Sequence, residues 1–217
     1  MKYVAALKHV REVSLVGTVD FGFWKQRLKK EGLEPQETEG KAQILVVGAE
    51  AKFRGIRFRE LSFSVMVCGG MFLVRAFNSS RFFAFCERVF FSTPYYGADV
   101  RISAAQPVFV RMTDVGEGVF EVEMKGENRA ASSSRQDGWE GPVFLPGNGK
   151  AFVARIGGES RRYPFLNSDS MTIKPAAKDG VLRSLLDSSF SPIEWIVRED
   201  AAHAKSKTYK RDEIPAA

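Results

Sequence analysis

Residues 78–99, Asn78-Ser79-Ser80-Arg81-Phe82-Phe83-Ala84-Phe85-Cys86-Glu87-Arg88-Val89-Phe90-Phe91-Ser92-Thr93-Pro94-Tyr95-Tyr96-Gly97-Ala98-Asp99, hold the one helix-length apolar run in the middle of a chain that otherwise alternates. Asn78 and Ser79 carry side-chain oxygens that can accept from the free amides of a first helical turn. Phe82, Phe85, Cys86 and Val89 recur at helical spacing and predict a helix over 79–91 with one apolar stripe. Arg81 and Arg88 lie seven residues apart, so they share a line on another face. Pro94 ends anything helical and holds Thr93 extended. Tyr95, Tyr96 and Asp99 then stand at the entrance to a strand.

On either side of this helix the sequence alternates. Residues 41–53 and 57–68 read as two long strands joined at Gly55. In the first, Ile44-Leu45-Val46-Val47 is apolar on both faces, as a strand covered on both sides requires. In the second, Leu61, Phe63, Val65 and Val67 point one way, and Phe58, Glu60, Ser62, Ser64 and Met66 the other. Further strands are predicted at 10–16, 71–77, 99–104, 107–113, 118–125, 142–145, 150–157, 170–174 and 193–198. Asp20 caps a short helix over 21–31 that Gly32 stops, and a second short helix covers 179–187. The polar segment 126–138, with three consecutive serines, reads as a mobile loop, and the polar, basic tail from Ala201 as a fraying end. Many alternating strands with few helices argue for a sandwich or a closed barrel, and barrels of this size often enclose one small ligand. No repeat and no long linker divides the chain, so 1–217 is read as one domain.

The totals narrow the function classes. The net charge of +6 is concentrated at the ends: residues 1–32 hold seven basic against three acidic side chains, and residues 203–217 four against two. Residues 33–202 are balanced, at 21 against 21. A phosphate-tracking groove concentrates charge on the folded body, so nucleic acid is not expected as a partner. Two cysteines, Cys68 and Cys86, are too few for a disulfide framework and point to a reducing cytoplasm. No apolar run is long enough to span a bilayer, so no membrane partner is expected. His9 and His203 have no Cys or acid at metal-ligand spacing, so no metal is expected. Nucleophile-elbow, phosphate-loop and dinucleotide signatures are missing, and no cofactor is expected. Cys86 sits in the apolar stripe, where a structural thiol is the simpler reading.

What remains is Glu60 on the mixed face of its strand, with Arg88, Pro94 and Tyr95 at fixed spacing beyond. With these residues the sequence resembles the acetoacetate decarboxylase-like superfamily over about residues 57–103. In that pattern a strand carries a glutamate, a helix ends in Arg-Glu, and a Gly-Phe-Pro-Lys turn follows six residues beyond the arginine. Glu60 matches the glutamate, Arg88 the arginine and Pro94 the proline. The position of the Schiff-base lysine holds Tyr95, and a phenol cannot form an iminium. The chain in this respect resembles a lysine-less branch of the superfamily.

The resemblance implies a mainly β (α+β) closed antiparallel barrel with a few short helices. It also implies a small-molecule pocket, possible homo-oligomers, and action on carbonyl or carboxylate compounds without a Schiff base. Glu60 and Tyr95 are the candidate catalytic residues, as proton acceptor and as donor to a carbonyl or enolate oxygen. Arg88, Ser62 and Tyr96 are the candidate ligand-binding residues, with Arg88 suited to a carboxylate. The alternative function is a non-catalytic module that senses a metabolite. Glu60 paired with Arg88 or Arg59, purely to hold strand to helix, is the structural alternative for that carboxylate. Arg75, between Leu73 and Phe77 on a mostly apolar face, must be paired or snorkel to the edge.

Overall fold

The chain opens with β1 (Tyr3–Asp20), α1 (Phe21–Lys29), β2 (Glu37–Thr38), β3 (Lys41–Phe53), β4 (Ile56–Val67) and β5 (Gly70–Asn78). Next come α2 (Arg81–Phe91), β6 (Tyr95–Gly97), β7 (Asp99–Ser103), β8 (Phe109–Asp114), β9 (Gly118–Glu123) and β10 (Ser133–Phe144). β11 (Lys150–Pro164), β12 (Ser170–Pro175), α3 (Val181–Asp187), β13 (Ser191–Ser206) and β14 (Tyr209–Lys210) complete it. This is a computed structural model, and it describes residues 2–126, 129–147 and 149–214.

The strands form two sheets, where the alternation predicts one. The larger has ten strands in the order β1-β13-β11-β10-β5-β4-β3-β2, with β14 on β11 and β6 on β5. β1 is hydrogen-bonded on both edges, to β13 and to β3. The ladders therefore run from β1 through β13, β11, β10, β5, β4 and β3 and return to β1. Two junctions are parallel: β10 to β5, at only Val143↔Met71 and Phe144↔Phe72, and β5 to β6. β7, β8, β9 and β12 make a separate four-stranded sheet.

The two faces of β4 show what the sheets enclose. Leu61, Phe63 and Val65 are fully buried and join a core cluster with Val110, Met112, Phe120 and Val122 of the small sheet and with Trp24 and Trp195. The small sheet thus covers the outside of the ring. Gly48 of β3 lets it approach closely, since a Cβ there would lie 3.0 Å from Val110 Cγ2. The opposite face of β4, with Phe58, Glu60, Ser62 and Ser64, lines a cavity.

α2 forms as the spacing predicts. Ser80 caps it, accepting from the Phe83 amide at 3.4 Å, while Asn78 Oδ1 accepts from the Ser80 amide at 2.8 Å. β5 and β6 are parallel and need a crossover, which α2 supplies. The predicted stripe, however, does not face the core: Phe82, Phe85 and Val89 are exposed and Cys86 is half-buried, while Ala84 is buried. Of the loop expected over 126–138, Ser133–Gly138 is strand paired with β11, and residues 127 and 128 lie outside the described residues. This arm is exposed on both faces for most of its length, so it has no apolar alternation to betray it. The tail expected to fray from Ala201 is instead the second half of β13, paired with β1 through Ser206.

Candidate functional site

A cavity of about 340 Å³ lies inside the ring, with residues of β1, β3, β4, β5, β10, β11 and β13 in its wall and α2 across it. The volume is within the range of small-molecule sites, about 300–1,000 Å³. Most of the wall is apolar: Leu45, Leu73, Val143 and Phe152 on one side, Phe53, Phe58 and Phe83 on another. Against this background the polar groups are few.

β4 places Glu60 in the wall, and the short strand β6 brings Tyr95 beside it. The Tyr95 hydroxyl donates to Glu60 Oε2 at 3.3 Å. Among the described residues this phenol is the only hydrogen-bond partner of the carboxylate, because Arg59 pairs instead with Glu50 at 2.6 Å. Burial pushes the Glu60 carboxyl above its ordinary range, and nearby Glu87 adds to the rise against the pull of His203 and Lys205. Burial, with Glu60 and Glu87 nearby, holds the Tyr95 hydroxyl well above its ordinary value, so it stays a donor.

The structure gathers Glu60, Ser62 and Tyr95 into the wall and leaves Arg88 and Tyr96 outside it. The Arg88 guanidinium is exposed and lies 6.0 Å from the centroid of Tyr96, which also carries Arg75 at 4.8 Å. The physical reason is helical phase. Glu87 and Phe91 face the cavity, and Arg88, one residue beyond Glu87, is turned about 100° away. Cys86, read from the sequence as part of a packed stripe, borders the cavity instead.

Sequence reasoning missed His203 and Lys205, both from β13, and their partners. Lys205 Nζ pairs with Glu87 and lies over the rings of Phe152 at 4.4 Å and Phe91 at 4.7 Å. Glu87 is further held by the Thr93 hydroxyl at 2.7 Å. The turn position has no lysine, yet the cavity has one, which enters from a strand the sequence assigns to a loose tail. His203 Nε2 lies 2.7 Å from Glu12 Oε2. Burial alone would raise the Glu12 carboxyl, but His203, Arg198 and the Ser14 hydroxyl together hold it below the ordinary range. Burial opposes charge on His203 too, and Glu12 outweighs it, so the imidazole is shifted upward. Arg198 passes from Glu12 to Asp137, 2.8 Å away, whose carboxyl is held down to about 2 by Arg198, Ser160 and Arg162 against its burial. One signal was available: His203 and Lys205 are two apart and so share a strand face.

No group of three or more potential metal-binding side chains occurs among the described residues. No helix is long and apolar enough to cross a membrane.

No family model matches the chain. No curated protein matches it in sequence. Among solved structures it is similar to acetoacetate decarboxylase from Legionella pneumophila subsp. pneumophila str. Philadelphia 1, at 9% identity and a TM-score of 0.64, covering 94% of this chain and 85% of that one. It is also similar to an acetoacetate decarboxylase-like enzyme from Sphingomonas wittichii RW1, at 10% identity and a TM-score of 0.55, covering 94% and 91%. A third is the enduracididine biosynthesis enzyme MppR complexed with pyruvate, at 12% identity and a TM-score of 0.58, covering 94% and 89%. Identities this low speak for fold, and with the ring of ladders and its helix-crossed cavity they establish that this chain has the acetoacetate decarboxylase-like fold.

Proposed function

We propose that the ring of ladders acts as a barrel that binds a small carbonyl compound, and that Glu60 and Tyr95 move a proton at the carbon beside its carbonyl. The observation that carries this reading is a half-buried carboxylate in a mostly apolar cavity wall whose one hydrogen-bond partner among the described residues is a phenol. A carboxylate with a raised pKa is a stronger base than one in water, and its proton affinity lies nearer neutrality. When the ligand binds, the single Tyr95 hydroxyl proton turns from Glu60 to the carbonyl oxygen. This leaves Glu60 free to accept the carbon's proton while the negative charge collects on that oxygen. Lys205 offers a cation for a carboxylate on the same ligand. With Tyr95 at the turn, the chemistry runs without an iminium at that position. Solved structures of this fold include a complex with pyruvate, a compound of the proposed class.

The test is exchange of the methyl protons of pyruvate or acetoacetate in heavy water, followed by NMR. Exchange faster than in buffer, lost in Glu60→Gln while binding persists, supports the reading. Binding with no exchange favours a metabolite-sensing module. A borohydride-trapped adduct on Lys205 overturns the chemistry without an iminium.

A further inference from the structure

The outer face of α2 is an apolar surface that the cavity chemistry does not use. Phe82, Phe85, Val89 and Phe90 are 64%, 51%, 53% and 70% exposed, four large apolar side chains along one face of an 11-residue helix. Water opposes such a face, and contiguous apolar surface of this kind marks a contact with something else. It adjoins the cavity mouth. Phe82 and Val4 are exposed and also line the cavity, and the Phe53 ring, on the tip of the β3–β4 hairpin, lies 6.2 Å from that of Phe83. Exposed Ile56 extends the apolar surface along that hairpin tip.

The charges around this face have one sign. Arg81 and Arg88 flank the helix stripe, and Lys52, Arg54 and Arg57 stand at the hairpin tip, all exposed. None of the five has an ion-pair partner among the described residues. The one acid of α2, Glu87, turns inward to Lys205 and Thr93, and Glu140, which holds Arg155 of the cavity wall, is bound also by Tyr3. A second copy docking about a two-fold axis would set this face against itself, arginine against arginine. Apolar side chains ringed by unpaired cations instead suit an anionic lipid surface.

We propose that the outer face of α2, with the β3–β4 hairpin tip, seats on an anionic phospholipid bilayer. The contact is peripheral and requires no spanning segment. It sets the cavity mouth against the acyl layer, so a ligand with an apolar chain enters without crossing water. The seating uses only the position of the mouth and not the proton chemistry at Glu60, so a vesicle assay and the exchange assay fail independently.

The experiment is co-sedimentation of the full chain with vesicles of phosphatidylcholine alone or mixed with phosphatidylglycerol, at low and high salt. Binding is expected to the anionic vesicles only, and to fall as salt screens the arginines. Phe85→Ser/Phe90→Ser removes two exposed rings and is expected to weaken binding about a hundredfold. Arg81→Gln/Arg88→Gln is expected to weaken it while leaving the melting temperature in place. Failure to bind anionic vesicles overturns the proposal. So does binding that Phe85→Ser/Phe90→Ser leaves intact, since the basic chain would then be adhering through charge elsewhere. Light scattering that shows a dimer dissolved by the same variant assigns the face to a second copy and also overturns it.

Discussion

Glu12 is buried and Glu60 half-buried in the wall of the same ring, yet their carboxyls shift in opposite directions. The difference is what surrounds each. Glu12 has an imidazole, a guanidinium and a hydroxyl directed at it. Glu60 has one phenol. A carboxylate that native structure raises binds its proton more tightly when folded, so stability is lost as pH climbs from about 4.3 through the folded value. Glu60→Gln removes that loss. Urea unfolding is expected to show the variant as stable as the parent at pH 4 and at least as stable at pH 7, with the melting point rising about 2–4 °C per kcal/mol recovered. A variant clearly weaker at pH 7 would show that the charged carboxylate is used in the fold. His203 carries the other sign. Its raised pKa gives stability that is complete below about pH 6.5 and fades as pH rises through the folded value. His203→Leu is therefore expected to cost about 1–3 kcal/mol at pH 6 and less at pH 8. Equal losses at both pH values would mean that the ring serves by packing alone.

Among the elements, α2 and β13 show what patterning can and cannot disclose. The existence and stop of α2 were legible because helical spacing and Pro94 act locally. Its start falls two residues beyond the expected 79, since Ser80 caps it and the Ser79 hydroxyl instead accepts from the Arg59 amide at 2.8 Å. Its orientation was not, since an apolar stripe reports only that something apolar is expected beside it. Glu60 and Tyr95 were legible through the alternation of β4 and the turn after α2. Arg88 kept the spacing of the family pattern but lies one residue past the inward face. The first part of β13 was legible as a strand over 193–198, and its continuation to Ser206 was missed for a different reason. Beyond Val197 its residues read Arg198-Glu199-Asp200-Ala201-Ala202-His203-Ala204-Lys205, with no large apolar side chain. Small alanines leave room for the cavity, and its wall is polar where it holds His203 and Lys205. A strand that lines a partly polar cavity loses the apolar alternation by which strands are recognised. Removing residues 201–217 makes the contrast measurable. A fraying tail could be lost without effect. The ladder predicts otherwise, since Leu7↔His203, Ala6↔Ala204 and Ala154↔Lys205 pairings vanish and the upper edges of β1 and β11 are left open. The truncated chain is expected to lose its cooperative unfolding transition by circular dichroism, and an unchanged transition would count against the ring of ladders.

For the whole molecule, the question is whether two sheets behave as one body. The apolar cluster spans both: Phe63 of β4 meets Phe120 of β9 edge to face, with ring centroids 5.3 Å apart. Polar contacts add to it: Asp169, just before β12, accepts from the Trp195 indole of β13 at 3.0 Å and from the Lys125 amide after β9 at 2.9 Å. A second strap runs through Glu117. Arg75 of β5, conspicuous in an apolar sequence context, pairs at 2.7 Å with Glu117 in the β8–β9 turn. Glu117 is buried, and its other oxygen accepts from the Leu182 amide at the start of α3 at 2.9 Å. One carboxylate therefore joins the ring, the small sheet and a helix. Replacing it by alanine leaves a guanidinium and a helix amide without their acceptor, at a cost of about 3–5 kcal/mol. Arg75→Met in the same chain removes one of the two orphaned groups, so the double variant is expected to recover part of that loss. Because the apolar cluster remains continuous, Glu117→Ala should lower the denaturant midpoint while the transition stays single and its slope holds. A transition that splits in two, with intrinsic fluorescence and circular dichroism reporting different midpoints, would instead show that the carboxylate, and not the shared core, holds the small sheet to the ring.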